Sequence, residues 1–177
     1  MVMPLCSGEI VRASISGINP GHSGEPGELR GLFLESGAMG TLEINDETGV
    51  FGTLYNRVAY HDPVEMAHAY EVERGDATIL CTLTGENPEE FSITIDKINA
   101  ASENDTKNMV ISITDPRLLS MAGGIVQGMS GSPILQNGKL VGAITHVFVN
   151  DPTRGYAIFA ENMDETLKVL PPSAKSA

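Results

Sequence analysis

The chain has 177 residues, 41% of them hydrophobic and 5% aromatic, with no tryptophan, which suits one domain with a real core or two small β units sharing one. Eleven Lys and Arg stand against twenty-three Asp and Glu, a net charge of −12. Such a surface repels phosphate backbones and argues against nucleic-acid binding; otherwise the acidity reads as a solubility feature.

Nineteen Gly and ten Pro predict many turns and short strands. The stretch 9–18, EIVRASISGI, is rich in β-branched residues and reads as a strand. The Pro- and Gly-dense stretch 19–29 reads as a loop. LRGLFL (29–34) and MGTLEI (39–44) look like two strands across the turn ESGA, and NDETG (45–49) is a turn before VFGTLY (50–55). Within 57–77, Pro63 breaks any long element, leaving a short helix or an irregular strand. ATILCTLT (77–84) and EFSITIDKI (90–98) are strands, the second with Phe91, Ile93 and Ile95 alternating against polar neighbours. A polar loop over 101–108 leads to the strand MVISIT (109–114). Asn137-Gly138 lies between two apolar runs in 133–149 and predicts a tight hairpin, because both turn residues must reach positive φ. A turn over 150–155, the strand YAIFA and the helix NMDETLKVL (162–170) follow. About ten short strands and one terminal helix make an all-β pattern, for which barrels and sandwiches are the natural architectures.

No apolar run reaches membrane-spanning length, and no charged-then-apolar signal segment opens the chain, whose abrupt start fits a piece cut from a longer protein. Cys6 and Cys81 form no Cys-x-x-Cys; they can pair or remain thiols, and no Cys/His cluster has zinc-ligand spacing. The chemistry concentrates in GGIVQGMSGSPIL (123–135). A serine nucleophile needs an exposed Oγ, backbone N–H groups aimed at the developing oxyanion, and a base. Gly128 and Gly131 let the chain turn sharply around Ser130, and the N–H groups of Gly128 and Ser130 are the candidate oxyanion hole. A plain Gly/Ser turn joining two strands is the alternative for so short a motif.

The stretch GMSGSPILQNGKLVGAIT resembles the G-D-S-G-G-P box of chymotrypsin-like serine peptidases, in which a strand, a tight hairpin and a second strand with Leu-x-Gly follow the serine. The longer block TDPRLLSMAGGIVQGMSGSPILQNGKLVGAITHVFVNDPTRGYAIFAENM, with GEPGELRGLF and VMPLCSGEI before it, is similar to the SpoIVB-type sporulation peptidases over nearly the whole chain. That resemblance implies a chymotrypsin/trypsin-like double β-barrel, incomplete at its N-terminus, with a C-terminal helix. The N-terminal barrel would span roughly 1–75, the C-terminal barrel roughly 76–160 and the helix 162–170, without the family's PDZ domain and membrane anchor.

The resemblance maps the nucleophile onto Ser130 and the triad acid onto Asp115, although an Asp before Pro116 equally suits a turn cap. Thr145, His146 and Val147 would lie along the peptide-binding edge, and Gly124 at the floor of the main pocket, where no charge selects the substrate residue. The family's base is a His in a Gly-His segment preceding the VMPLCSGEI region and has no counterpart here. His22, His61, His68 and His146 are poor substitutes. Met129 stands where trypsin-like enzymes carry an Asp that pairs with a new N-terminus, which excludes that ion pair. No metal or organic cofactor is required. The implied partners are a membrane-bound sporulation regulator and the chain itself, by autoproteolysis, between the two forespore membranes. Open strand edges would allow a homo-oligomer. Without its base, such a domain is impaired as an enzyme. A non-catalytic peptide-binding module on the same fold is the competing reading, and an acidic structural β-domain with an incidental turn is a third.

Overall fold

The computed structural model describes residues 8–56, 63–99 and 106–169. The chain opens with β1 (Gly8–Asn19), β2 (Glu28–Asn45) and β3 (Val50–Leu54), an antiparallel sheet in that order. The two strands expected at 29–34 and 39–44 are one strand, β2. Pairing with β1 steps from Val11 opposite Ala38 to Ala13 opposite Phe33, so residues 34–37 form a bulge opposite Arg12. A local turn signal is absorbed as a bulge because β1 continues on both sides of it.

The remaining strands are β4 (Gly75–Cys81), β5 (Glu89–Ile98), β6 (Met109–Ile113), β7 (Pro133–Gln136), β8 (Lys139–Phe148) and β9 (Asp151–Phe159). They close into a six-stranded barrel ordered β4-β5-β6-β9-β8-β7. The alternation in β5 points Phe91, Ile93 and Ile95 inward, each 1% exposed, onto Ile79, Met109, Ile111, Ile134 and Ile144. Asn137 and Gly138 adopt φ of 53° and 77°, the left-handed pair that joins β7 to β8 without splaying them. β9 begins at Asp151, so the turn expected across 150–155 is confined to Val149 and Asn150.

Helix α1 (Pro116–Ala122) stands where the sequence suggested only a strand end. Asp115 is its N-cap, accepting from the Arg117 N–H at 2.8 Å, with proline in the first turn; this is a helix start written in two residues. Helix α2 (Ala160–Val169) begins two residues before the predicted 162. The Asn108 carboxamide, 2% exposed, accepts from the Phe159 N–H at 3.0 Å and the Asn162 amide at 3.1 Å, joining β9 to α2.

Between sheet and barrel, residues 57–62 of the ambiguous stretch lie outside the described residues. The rest is irregular apart from one 3-10 turn at Ala69–Glu71. It clasps β8: Leu140 N–H donates to Glu65 C=O at 2.8 Å and Ala67 N–H to Leu140 C=O at 2.9 Å. Lys139 Nζ reaches Glu65 and Glu71, each at 2.9 Å, and His68 Nδ1 lies 2.8 Å from Glu161 Oε1 on α2. Cys81 is a free, buried thiol, and burial pushes it up to about 11; Cys6 lies outside the described residues.

Candidate active site

Ser130 occupies the turn between α1 and β7, with Gly128 at φ +96° and Gly131 at φ +88°. Those values allow a sharp reversal that a side chain would resist. Its neighbour Met129 is fully buried beneath the turn, so the serine is turned outward and exposed. Its Oγ–H donates to the Thr145 carbonyl on β8 at 3.0 Å.

The backbone N–H groups of the turn divide into two sets. Val126 donates to Met129 Sδ at 3.4 Å. Gln127 donates to Gly27 C=O at 2.8 Å, Met129 to Val126 C=O at 3.1 Å, Gly131 to Ile144 C=O at 2.8 Å and Ser132 to Met129 C=O at 3.0 Å. The N–H groups of Gly128 and Ser130 have no acceptor among the described residues. Both residues are exposed, so these two N–H groups are open to solvent and free to receive a negatively charged oxygen beside the serine.

Asp115 makes no hydrogen bond to the serine. Its carboxylate, 6% exposed, accepts from Arg117 Nε at 3.2 Å, from the Arg117 terminal nitrogen at 3.0 Å and from the Ser92 N–H at 3.3 Å, besides capping α1. The Arg117 guanidinium beside it holds its carboxyl down to about 2. Thr145, His146 and Val147 lie on β8 beyond Ala143, the last residue paired with β7. Here β8 keeps β9 on one side, with His146 opposite Tyr156 and Val147 opposite Gly155. His146 is exposed, and the Thr145 hydroxyl donates to Thr106 C=O at 2.8 Å. Gly124 is buried; a Cβ there would meet the Pro152 carbonyl oxygen at 2.2 Å, so this glycine permits a close backbone approach.

No described histidine reaches the serine. His68 pairs with Glu161, His22 exchanges main-chain bonds with Glu25, His146 makes no bond to Ser130, and His61 lies outside the described residues. Among the described residues no cluster of His, Cys, Asp and Glu could hold a metal.

An apolar cavity of about 390 Å³ adjoins the turn, lined by Gly128, Gly131, Pro133, Ile15, Leu29 and Leu80, without Gly124. A second hollow of about 420 Å³, at Arg74, Gly75 and Thr94–Asp96, shares no residue with the turn. The barrel order places the cavity and the open stretch of β8 on opposite sides of β7, because β7 lies between β4 and β8. Sequence reasoning missed two residues that shape the turn, Gln127 and Leu29, which pair across the molecule with no motif of their own.

Comparison with known proteins places this geometry. The family model described as SpoIVB peptidase S55 matches residues 1–164. No curated protein matches the chain. Among solved structures, the active form of the Rv3671c protease from M. tuberculosis is similar at a TM-score of 0.55 and 16% identity, covering 96% of this chain and 84% of that one. The inactive form matches at 0.53 and 15%, over 94% and 87% of the two chains. An inactive serine-to-alanine mutant matches at 0.53 and 15%, over 91% and 88%. At such identities the likeness is one of fold: a barrel with a second sheet, as in chymotrypsin-like proteases.

Proposed function

The chain belongs to the SpoIVB peptidase S55 family and is a serine peptidase domain, and from that premise we propose that Ser130 is its nucleophile and that the Gly128 and Ser130 N–H groups form the oxyanion hole. The observation that carries this reading is the division within the turn: every N–H from Val126 to Ser132 is bonded except those two. In acyl transfer the Ser130 oxygen attacks the peptide carbonyl, and the two donors receive the charge that develops on the carbonyl oxygen. A base must take the hydroxyl proton. We assign that step to the imidazole of the family's Gly-His segment, which maps to no residue of this chain. Asp115 then acts as the cap of α1 and the partner of Arg117, not as a triad member, because its oxygens are already occupied by Ser92 and Arg117.

The substrate is a protein or peptide. Its acyl side follows β8 at Thr145–Val147, and an apolar side chain on its leaving side fills the cavity beside Gly128 and Gly131. The finer reading follows the family resemblance: a membrane-bound sporulation regulator and the chain itself are cut in the space between the forespore membranes. No helix among the described residues is long and apolar enough to cross a membrane. The outer strands of the open sheet, β1 and β3, are the edges through which a second copy would pair.

The competing reading, a peptide-binding module without catalysis, is favoured by the lack of any described imidazole on Ser130. Incubating a denatured protein mixture with the chain fused to the Gly-His segment of a family member separates the two. New peptide termini that accumulate with the fused chain and not with its Ser130→Ala variant support the peptidase. Peptide binding by both, with no new termini from either, supports the module.

A further inference from the structure

No charge holds the serine turn in shape. Met129 is fully buried, and its sulfur only accepts from the Val126 N–H. The turn's internal bonds, Met129 to Val126 and Ser132 to Met129, close it on itself, and Gly131 to Ile144 ties its far end to the barrel. Its near end is tied to the N-terminal sheet. Gln127 N–H donates to Gly27 C=O and Leu29 N–H donates to Gln127 C=O, both at 2.8 Å. This is a two-bond parallel ladder on the residue just before Gly128. The Leu29 side chain also rests on the turn: a Cβ on Gly128 would lie 3.2 Å from Leu29 Cβ.

The same connection between β1 and β2 is stitched to the barrel at three further points. Gly21 N–H donates to Ala122 C=O and Gly24 N–H to Val149 C=O, each at 2.8 Å, and the Ser23 hydroxyl donates to Asn150 C=O at 2.9 Å. It therefore bridges the end of α1, the serine turn and the β8–β9 turn.

We propose that Leu29 is a positioning residue for the serine site. Its N–H and side chain fix the Gln127–Gly128 peptide so that the Gly128 N–H faces the reacting carbonyl, and docking of the 19–29 connection thereby switches the oxyanion hole on. The proposal rests on Ser130 being the nucleophile, but its structural half can be read without catalysis.

Leu29→Pro removes the N–H and nothing from the β1–β2 ladder, because that N–H already points at Gln127. Leu29→Ala keeps the N–H and removes the side chain. Amide hydrogen exchange on the folded chain reads Gln127, and the rate of fluorophosphonate labelling of the chain fused to a family Gly-His segment reads Ser130. In Leu29→Pro, Gln127 is expected to lose at least about tenfold of its protection while Ile93 and Ile111 of the barrel keep theirs. Labelling of Ser130 should slow by about tenfold to a hundredfold. Leu29→Ala should retain the protection at Gln127. Unchanged Gln127 protection in Leu29→Pro overturns the proposal, as does lost protection with an unchanged labelling rate. If the fused wild type itself does not label, the peptidase reading fails, and the exchange result still decides whether the connection holds the turn. Should Leu29→Pro not fold, Gln127→Pro deletes the bond to Gly27 from the barrel side, and the Leu29 amide, which donates to Gln127 C=O, becomes the exchange reporter: it should lose its protection while Ser130 labelling slows, and unchanged Leu29 protection or an unchanged labelling rate overturns the proposal.

Discussion

Ser130 lies between two glycines that the fold uses differently. At Gly131 a Cβ would meet nothing within 4 Å, whereas at Gly128 it would press on Leu29 at 3.2 Å. Both have positive φ, so alanine at either position carries backbone strain of about 1–2 kcal/mol. On the proposed reading, only Gly128→Ala also pushes an oxyanion donor aside. We expect both variants to lower the melting temperature by similar amounts, and, in the chain fused to a family Gly-His segment, Gly128→Ala to label with fluorophosphonate roughly a hundredfold more slowly than Gly131→Ala; equal rates would remove Gly128 from the hole. Asp115 makes the opposite prediction. Asp115→Ala removes the α1 cap and should cost about 1 kcal/mol, read by urea denaturation, and should leave labelling within about threefold. Its carboxyl titrates at about 2, below the ordinary 3.8. The stability it confers is therefore complete above about 4 and lost as pH falls toward 2. The Ser130 motif is visible in the sequence because its chemistry is local: glycines, a serine and a following hairpin within a dozen residues. Asp115 is ambiguous there because Asp-Pro serves turns, helix starts and catalytic acids alike.

Elements that depend on their own residues were legible, and those that depend on a partner were not. The Asn137-Gly138 hairpin and the alternating strand β5 follow from backbone preference and period-two burial. β2 reads as two strands because the Glu35–Ala38 stretch carries a turn signal, which long-range pairing with β1 overrides. Helix α1 has seven residues, too short for its apolar period to stand out, yet its cap was present as Asp115-Pro116. The clasp between the 65–71 segment, β8 and α2 makes a pH prediction. His68 is raised above 6.5, chiefly by its hydrogen bond to Glu161, and Glu161 is lowered below 4.5, chiefly by the same bond. The charged pair thus stabilises the chain between these limits. Its contribution is lost at lower pH as Glu161 protonates, and at higher pH as His68 deprotonates through its raised value. Thermal melts of wild type and His68→Gln should differ most just below the ordinary histidine value of 6.5 and converge as pH rises through the raised His68 value. A constant difference across that range would assign the contact a packing role only.

At the scale of the molecule the burial is lopsided. Nearly all fully buried apolar side chains belong to the barrel and α1, while Phe51 is the one residue of β1–β3 among the buried hydrophobics of the described residues. Leu32 and Phe33 are 59% and 84% exposed. Amides of β1–β3 should therefore exchange through local opening, and those of β5 and β6 only through global unfolding; uniform protection would contradict this. The site inherits that division, since the serine turn belongs to the barrel but is held at Gln127 by the sheet, 98 positions away in sequence at Leu29. Such a contact leaves no periodic or motif signal, which is why the turn could be read in the sequence and its support could not. The central claim, that Ser130 is an activated nucleophile in a preformed oxyanion hole, is tested most directly by intact mass after fluorophosphonate treatment of the chain fused to a family Gly-His segment. One adduct per chain, absent from the Ser130→Ala variant, is the predicted result. An adduct that persists in Ser130→Ala, or none on either chain, would contradict it.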